Sequence, residues 1–240
     1  MQSWSFGILC FNEEGTLENV VQEVLDLTKQ WGIKDYEIIL VDDGSVDQTP
    51  IMIRSLAEAN SDIRPVLHPR NMGIGAGIRD IYFQATKDNV IFIPGDGQFD
   101  VQELLPYPAF GNQTFLSFYR KENLSYSTFR NILSAFNKWF NRIFLGLDMK
   151  DVNWVKAYKR KEIIHLDLRI KSSAIESEIC AKLLIKGHLP HEIPSRYLPR
   201  RAGTSQGASW KAIFRVVREL ASLFWAVILF RISQSRNLST

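Results

Sequence analysis

Residues 38–41 form a short apolar run that ends abruptly in Asp42 and Asp43, and this feature constrains the fold more than any other. Such a run is typical of a strand buried on both faces of a parallel sheet. Open α/β sheets bind their ligands at the carboxyl ends of the strands. The pattern therefore predicts a buried strand that presents two carboxylates to a ligand. The residues alone also allow a plain turn, with Asp47 or Thr49 capping the next helix.

Strand-like and helical segments alternate through the first hundred residues. The predicted strands cover residues 6–11, 37–41, 64–67 and 90–93. The predicted helices cover residues 17–31, with Thr16 as N-cap, 50–59 and 75–86. This order predicts an α/β fold with right-handed crossovers and an open, mostly parallel, twisted sheet flanked by helices.

The pattern changes after residue 100. Residues 114–119, 153–158 and 191–197 read as extended, and residues 129–145, 174–186 and 210–231 as helical. We expect one domain over residues 1–208, with a nucleotide-binding half at 1–100 and an acceptor half at 101–208. Residues 209–240 would form a C-terminal amphipathic helix.

Composition indicates an ordinary soluble protein, since 45% of the 240 residues are hydrophobic and 23% are charged. Cys10 and Cys180 lie far apart in apolar segments, which favours reduced core thiols over a disulfide. The chain opens without a secretory signal, so the expected compartment is the cytoplasm.

Basic residues dominate the C-terminal part of the chain. The apolar run at 220–230 is too short to span a bilayer, which needs about 20 residues. We therefore expect a membrane surface, and not nucleic acid, as the partner of this region. The alternatives are that the last helix closes the core or forms a homo-oligomer contact. The basic residues, opposed by Glu219 alone, are Arg196, Arg200, Arg201, Lys211, Arg215, Arg218, Arg231 and Arg236.

Two glycine-containing segments follow predicted strands. Asp96 and Gln98, in the turn at 94–98, supply hard oxygen ligands that suit Mg²⁺ or Mn²⁺ bound together with a diphosphate. The segment 71–77 superficially resembles a dinucleotide fingerprint, but it follows the third strand and not the first. It is therefore not expected to bind a nicotinamide cofactor.

These motifs, in this order, resemble glycosyltransferase family 2, the inverting nucleotide-sugar enzymes with the GT-A fold. Residues 11–14 resemble its opening segment, residues 41–45 its second-strand motif, and residues 71–73 its Asn-x-Gly loop. Residues 96–98 resemble the end of its D-x-D-G-Q metal motif, although Pro94 stands in place of the first Asp.

Later segments are most similar to the polyprenyl-phosphate branch, the dolichyl-phosphate mannose synthase-like enzymes. Residues 156–160, 192–194 and 200–205 carry this similarity, together with Arg120 and Arg130. The resemblance implies a nucleotide-sugar donor and a polyprenyl phosphate acceptor, used on the inner face of a membrane.

The resemblance also implies roles for individual residues. The implied nucleotide-binding set is Phe11, Glu13, Asp42, Asp43, Asn71 and Gly73. The implied catalytic set is Asp96, Arg120, Arg130 and Arg201, with Asp96 and Gln98 as metal ligands. The implied acceptor-phosphate set is Lys156, Arg200 and Ser205. Lys159, Arg160 and Arg196 are expected to be solvated surface charges.

A phosphate acceptor already carries an anionic oxygen at pH 7, so it needs no strong general base. A sugar-hydroxyl acceptor would need one, and the candidates are Glu176, Glu178, Asp100 and Asp151. The four histidines show no metal-ligand spacing and are given no role. Two further alternatives are a nucleotide-sugar binder without activity and a nucleotidyltransferase, although residues 10–13 lack the basic glycine-rich loop of the latter.

Overall fold

A computed structural model describes residues 2–121, 138–172, 174–199 and 210–237, with the side chains of the last helix described from 218 to 235. The strands are β1 (Trp4–Cys10), β2 (Tyr36–Asp42), β3 (Ile63–Leu67), β4 (Asn89–Pro94), β5 (Thr114–Arg120), β6 (Lys156–Lys159) and β7 (Leu189–Ser195). The helices are α1 (Leu17–Trp31), α2 (Thr49–Ala59), α3 (Ile74–Gln84), α4 (138–145 in its described part), α5 (Arg160–Ile163), α6 (Ile175–Ile185) and α7 (Trp210–Asn237). A short 3-10 helix covers Val101–Leu104.

The seven strands form one sheet in the order β3-β2-β1-β4-β6-β5-β7. The pairs within β3-β2-β1-β4 and the pair β5–β7 are parallel, whereas β6 is antiparallel to both of its neighbours. The predicted α/β class and mostly parallel sheet flanked by helices are confirmed.

Successive side chains of the central strands point to opposite faces of the sheet, and each face has its own hydrophobic core. In β2, Ile38 and Leu40 pack into a core that α1 shares, and Ile39 and Val41 pack into a second core that α3 and α6 share. Both faces of the strand are therefore covered, as the continuous apolar run predicted.

The C-terminal helix α7 packs against α6 through Leu220, Leu223 and Val227, which are buried in the second core.

Cys10 and Cys180 are both buried and free, which confirms the prediction of reduced core thiols. Among the described residues, no helix combines the length and the apolar character needed to cross a membrane.

Candidate active site

Three neighbouring parallel strands end at one edge of the sheet and place the predicted motifs together. Cys10 at the end of β1 pairs with Asp42 at the end of β2, and Leu9 pairs with Pro94 at the end of β4. Backbone bonds continue past the strand ends, from Asp43 N to Cys10 O at 2.9 Å and from Gly95 N to Leu9 O at 2.9 Å. The segments after the three strands therefore share one site.

Asp42 lies in the wall of an open cavity of about 530 Å³ at this edge, a size typical of small-molecule sites. The side chain is only 2% exposed, and both carboxylate oxygens accept a bond from Ser45 N, at 3.2 and 3.3 Å. Phe11 and Asn71 also line the cavity. Three residues of the predicted nucleotide set therefore border one space.

Two cationic side chains that no sequence motif identifies also line the cavity. Arg54 projects from α2 and Arg70 from the loop after β3, and both line the cavity beside Asp42. Guanidinium groups bind phosphate oxygens in a bidentate manner. Their positions suit the phosphates of a nucleotide, but neither residue belongs to a motif that would have identified it.

Asp43 supports the neighbouring loop instead of lining the cavity. Its two carboxylate oxygens accept bonds from Met72 N at 2.8 Å and Gly73 N at 2.9 Å. Gly44 lets the loops approach closely, since it has a φ of +74° and a side chain there would overlap the backbone of Arg70. Asp43 therefore holds the Asn-x-Gly loop in place, and its predicted place in the nucleotide-binding set stays a prediction.

His68, which the sequence analysis left without a role, completes this arrangement. Its Nδ1 lies 2.8 Å from Asp43 Oδ1, and its Nε2 lies 2.8 Å from Asp80 Oδ2. A carboxylate only accepts hydrogen bonds, so both contacts are satisfied only when the ring is a doubly protonated imidazolium. Burial lowers the pKa of His68, but the bonds to Asp43 and Asp80 outweigh burial and raise it.

Stability should therefore depend on the protonation of His68. Because its folded-state pKa is raised, its contribution is fully present below the unfolded value of about 6.5 and is lost as pH rises through the folded value. We expect His68→Leu to lower the free energy of unfolding by about 1.5–3 kcal/mol at pH 6, the range for hydrogen bonds to charged groups. Urea unfolding at pH 6 and pH 9 measures this.

The exposed His165 provides the matched control. His165→Leu should leave both the stability and its pH dependence unchanged. If His68→Leu kept the wild-type decrease of stability between pH 6 and pH 9, the imidazolium assignment would be wrong.

Glu13 and Thr16 connect the first strand end to the other two. Glu13 N donates to Thr49 Oγ1 at 2.9 Å, and Thr16 Oγ1 donates to Gly95 O at 2.8 Å and lies 3.1 Å from Glu13 Oε2. Thr16 is the N-cap residue of α1, as predicted, but its side chain makes no capping bond to the helix. Its hydroxyl instead ties α1 to the turn that carries Asp96.

The turn after β4 presents Asp96 beside other carboxylates. Asp96 is 9% exposed, and its Oδ1 accepts a bond from Gln98 N at 3.1 Å. Burial raises the pKa of the Cys10 thiol, and the negative charges of Glu13, Asp42 and Asp96 raise it further. The strand ends therefore carry a concentrated negative charge, which favours a cation.

The side chains around Asp96 fit a divalent metal that is completed by a ligand. Gln98 Nε2 donates to Tyr197 Oη at 2.7 Å, which leaves the amide oxygen as the atom for a cation. Within the described ranges, no group of three or more His, Cys, Asp or Glu side chains could hold a metal alone. Mg²⁺ is commonly held by one or two carboxylates plus substrate phosphates and water, and Asp96 with Gln98 fits that pattern.

Arg120 is the last residue of β5, in the predicted acceptor half, and contacts the ring of Tyr197, whose hydroxyl bonds to Gln98. Its guanidinium binds Asp151 in a bidentate manner, at 2.8 and 3.3 Å. It also stacks over the Trp154 ring at 5.0 Å and the Tyr197 ring at 5.5 Å. Since Tyr197 Oη accepts a bond from Gln98, Arg120 is connected through one aromatic ring to the predicted metal turn.

Lys156 has a different position from the one its predicted role requires. It is completely buried, and its Nζ donates to the carbonyl oxygens of Asp151, Val152 and Trp154 at 3.2, 2.7 and 3.0 Å. All three ammonium hydrogens are therefore used within the protein. We correct the predicted phosphate contact of Lys156 to a supporting role. Its bonds to the backbone hold the segment that places Asp151 next to Arg120.

The carboxylates considered as bases for a sugar-hydroxyl acceptor are all engaged. Glu176 is buried and accepts bonds from Tyr82 Oη and Tyr158 Oη, both at 2.5 Å. Burial raises the pKa of Glu176, although the charge of Lys156 opposes this shift. Glu176 therefore belongs to the core and not to the cavity.

The other three carboxylates have similar structural partners. Glu178 is fully buried and pairs with Lys182 Nζ at 2.6 Å. Asp100 caps the short 3-10 helix by accepting from Gln102 N at 3.0 Å, and Asp151 binds Arg120. The remaining predicted site residues, Arg130, Arg200, Arg201 and Ser205, lie outside the described residues.

The family model for glycosyl transferase family 2 matches residues 5–108, which include the ends of β1, β2 and β4. These residues form a glycosyl transferase family 2 domain. The family predicted from the motifs is therefore confirmed for this part of the chain.

Curated relatives of this family 2 domain include enzymes of the polyprenyl-phosphate branch. A dolichyl-phosphate beta-glucosyltransferase of Trichomonas vaginalis is 34% identical over 97 residues, which are 39% of this chain and 30% of the relative. An undecaprenyl-phosphate 4-deoxy-4-formamido-L-arabinose transferase of Pectobacterium carotovorum is 28% identical over 207 residues, which are 85% of this chain and 62% of the relative. The matched region thus spans less than two thirds of these relatives.

Solved structures show that the described part of the chain has the GT-A fold. Glucosyl-3-phosphoglycerate synthase from Mycobacterium tuberculosis, in complex with Mn²⁺, UDP-glucose and phosphoglyceric acid, aligns with a TM-score of 0.62 and 16% identity over 96% of this chain and 80% of that one. Its complex with Mg²⁺ and UDP aligns with a TM-score of 0.57. The predicted GT-A fold is confirmed.

Proposed function

We propose that this protein transfers a sugar, with inversion, from a nucleotide-sugar to a polyprenyl phosphate at a membrane surface. The observation that carries the proposal is the placement of three groups along one edge of the sheet. The cavity with Asp42 lies at one end, the Asp96–Gln98 turn follows, and Arg120 is joined to that turn through Tyr197. This order provides positions for a nucleotide, a diphosphate and an anionic acceptor.

In this proposal Asp42 binds the base or ribose of the donor, with Phe11 at the cavity rim, where 37% of its surface is exposed for stacking on the base. Arg54 and Arg70 face the phosphates from the same cavity. Mg²⁺ or Mn²⁺ held by Asp96 and Gln98 would neutralise the charge that develops on the departing diphosphate. Asp96 and Gln98 thus act where negative charge increases during the reaction.

The described part of the acceptor half places one cation, Arg120, near the Asp96–Gln98 turn. Arg120 is oriented by Asp151 and by two aromatic rings, so its guanidinium is held rigidly near the turn. We propose that Arg120, together with Arg130, Arg200, Arg201 and Ser205, binds the acceptor phosphate. A phosphate oxygen is already anionic at pH 7, which agrees with the structural roles of Glu176, Glu178, Asp100 and Asp151.

An apolar surface on α4 and α7, which we call the aromatic patch, supports membrane docking. Trp139, Ile143 and Phe144 on α4 are 51%, 57% and 40% exposed, and Trp225 on α7 is 60% exposed. Phe144 and Phe224 join the two helices, with ring centroids 5.9 Å apart. Exposed aromatic clusters of this kind are typical of interfacial membrane contacts. The proposed location is peripheral, on the cytoplasmic face of a membrane.

We expect the double variant Trp139→Ser/Trp225→Ser to lose about 90% or more of the binding to anionic vesicles. Each side chain contributes its apolar area to the membrane contact, and full burial of a large side chain is worth about 1.5–3 kcal/mol. Flotation with vesicles at low salt measures the bound fraction. These substitutions leave the contact between α6 and α7 intact, whereas truncation before α7 would remove Leu223 and Val227 and uncover the part of the second core that they cover.

Leu189→Ser is the matched control, because Leu189 on β7 is 64% exposed but lies outside the aromatic patch. It should float as the wild type does. A wild-type protein that stays at the bottom of the gradient would contradict membrane docking. The aromatic patch would then be assigned to a homo-oligomer contact.

Turnover itself is tested by incubating the chain with UDP- and GDP-sugars, undecaprenyl or dolichyl phosphate, and Mg²⁺ or Mn²⁺. The expected result is a glycosylated polyprenyl phosphate for at least one donor. Nucleotide binding without turnover for any pair would instead identify a binder without activity, as Pro94 in the metal motif allows. Transfer to a sugar hydroxyl but not to a polyprenyl phosphate would contradict the proposed acceptor.

A further inference from the structure

A second cavity, of about 300 Å³, lies at the opposite edge of the sheet, where the parallel strands begin. Asn89 opens β4 and pairs with Lys159, whereas Asp96 follows the other end of that strand. At about 3.3 Å per residue, the two sites are roughly 20 Å apart. This cavity is therefore separate from the proposed active site.

The second cavity is strongly basic. Four cations and one carboxylate line it: Lys87, Lys159, Arg160, Lys161 and Asp88. Lys87 forms an ion pair with Asp35, and Asp88, which accepts bonds from Ser3 N and Oγ at 3.2 and 3.0 Å, offsets one of the remaining charges. Lys159, Arg160 and Lys161 therefore leave a net positive charge in the cavity.

Lys159 is the unusual member of this group. The sequence suggested a solvated surface charge, but the residue is only 5% exposed. Its Nζ lies 4.8 Å from the centroid of the Phe110 ring, and among the described residues it has neither an ion pair nor a side-chain hydrogen bond. Burial lowers the pKa of Lys159, and the charge of Lys161 lowers it further against the opposing effect of Asp88. A buried cation of this kind is costly without an anion.

We propose that this cavity is a binding site for a small phosphate-bearing anion, held by Lys159, Arg160 and Lys161. Arg160 Nε is bonded to Ala85 O, which orients the guanidinium and leaves its terminal nitrogens for a ligand. Lys161 is exposed at the entrance and Lys159 lies inside. Clusters of lysine and arginine with these positions bind phosphoryl groups by charge-assisted hydrogen bonds. The inference does not depend on the proposed glycosyltransferase function.

Thermal unfolding in inorganic phosphate, compared with chloride at equal ionic strength, tests the site. The wild type should show a saturable rise in Tm, because a ligand that binds only the folded state stabilises it. Lys159→Gln should weaken phosphate affinity about tenfold or more, as expected for a lost charge-assisted bond. Because Lys159 is buried, Lys161→Gln at the exposed entrance serves as a second variant, with an expected loss of about threefold.

Phosphate could also bind between Arg54 and Arg70 in the first cavity, so Arg70→Gln is the matched control. It should keep the saturable Tm rise. If the rise disappears in Arg70→Gln but persists in both lysine variants, or if phosphate and chloride act alike on the wild type, the proposal is overturned. Glycerol 3-phosphate in solution and vesicles with phosphatidic acid then distinguish a free phosphate from a lipid headgroup. Binding of either that requires Lys159 supports the site.

Discussion

Asp42→Ala should reduce the affinity for the nucleoside diphosphate by about 100-fold or more while the protein remains folded. A carboxylate that binds a base or ribose through two hydrogen bonds loses about 1.5–3 kcal/mol for each bond removed. Within the protein the side chain of Asp42 bonds only to Ser45 N, among the described residues. The loss should therefore fall mainly on the ligand. Calorimetric titration with UDP and GDP measures it.

Asp47→Ala is the matched control for Asp42→Ala. Asp47 lies in the same loop and accepts bonds from Glu14 N at 3.2 Å and Thr49 N at 3.0 Å, but it is not part of the cavity wall. Its loss should weaken the loop and lower Tm more than it affects binding. Unchanged nucleotide affinity in Asp42→Ala would remove Asp42 from the site.

Asp96→Asn should decrease turnover by about 10²- to 10³-fold, with the largest effect at low Mn²⁺ concentration. The magnitude is that of removing one group that stabilises charge developing in a transition state. Asparagine keeps the shape of the side chain and its bond to Gln98 N but removes the negative charge. The measurement is kcat as a function of Mn²⁺, with and without EDTA.

Two further variants define the metal site. Asp100→Asn removes a charge four residues away that caps the 3-10 helix, and its turnover should stay within about twofold of the wild type. Pro94→Asp restores the first carboxylate of the family motif at the half-buried end of β4 and should tighten metal binding. Turnover that is insensitive both to EDTA and to Asp96→Asn would exclude a metal-dependent mechanism.

The sequence predicted the first half of the fold well because its signals are local. Helix α1 was predicted with the observed bounds, and the strands β1 to β4 were each predicted within two residues. Apolar runs, turn residues and helical periodicity all lie within the segments that they describe. Sheet order in the second half, where β6 lies antiparallel between β4 and β5, carries no such local signal.

The residues whose roles the sequence does not reveal depend on tertiary contacts or on burial. His68 was judged by metal-ligand spacing, but its partners are Asp43, 25 residues earlier, and Asp80, 12 residues later. Glu176 is a candidate base by sequence, because its partner Tyr82 lies 94 residues away and cannot be recognised from the local sequence. Lys156 bonds to nearby carbonyls, yet only the tertiary fold shows that it is buried.

The bond from Gln98 to Tyr197, together with the stacking of Arg120 on the Tyr197 ring, has a consequence for protein engineering. Because of these contacts, we expect the predicted halves, residues 1–100 and 101–208, not to be interchangeable modules. A chimera that takes its donor half from one homologue and its acceptor half from another must retain a compatible pair at positions 98 and 197. Without that pair, the turn that holds Asp96 and the strand that carries Arg120 would lose their shared alignment. Recombination libraries should therefore vary these two positions together.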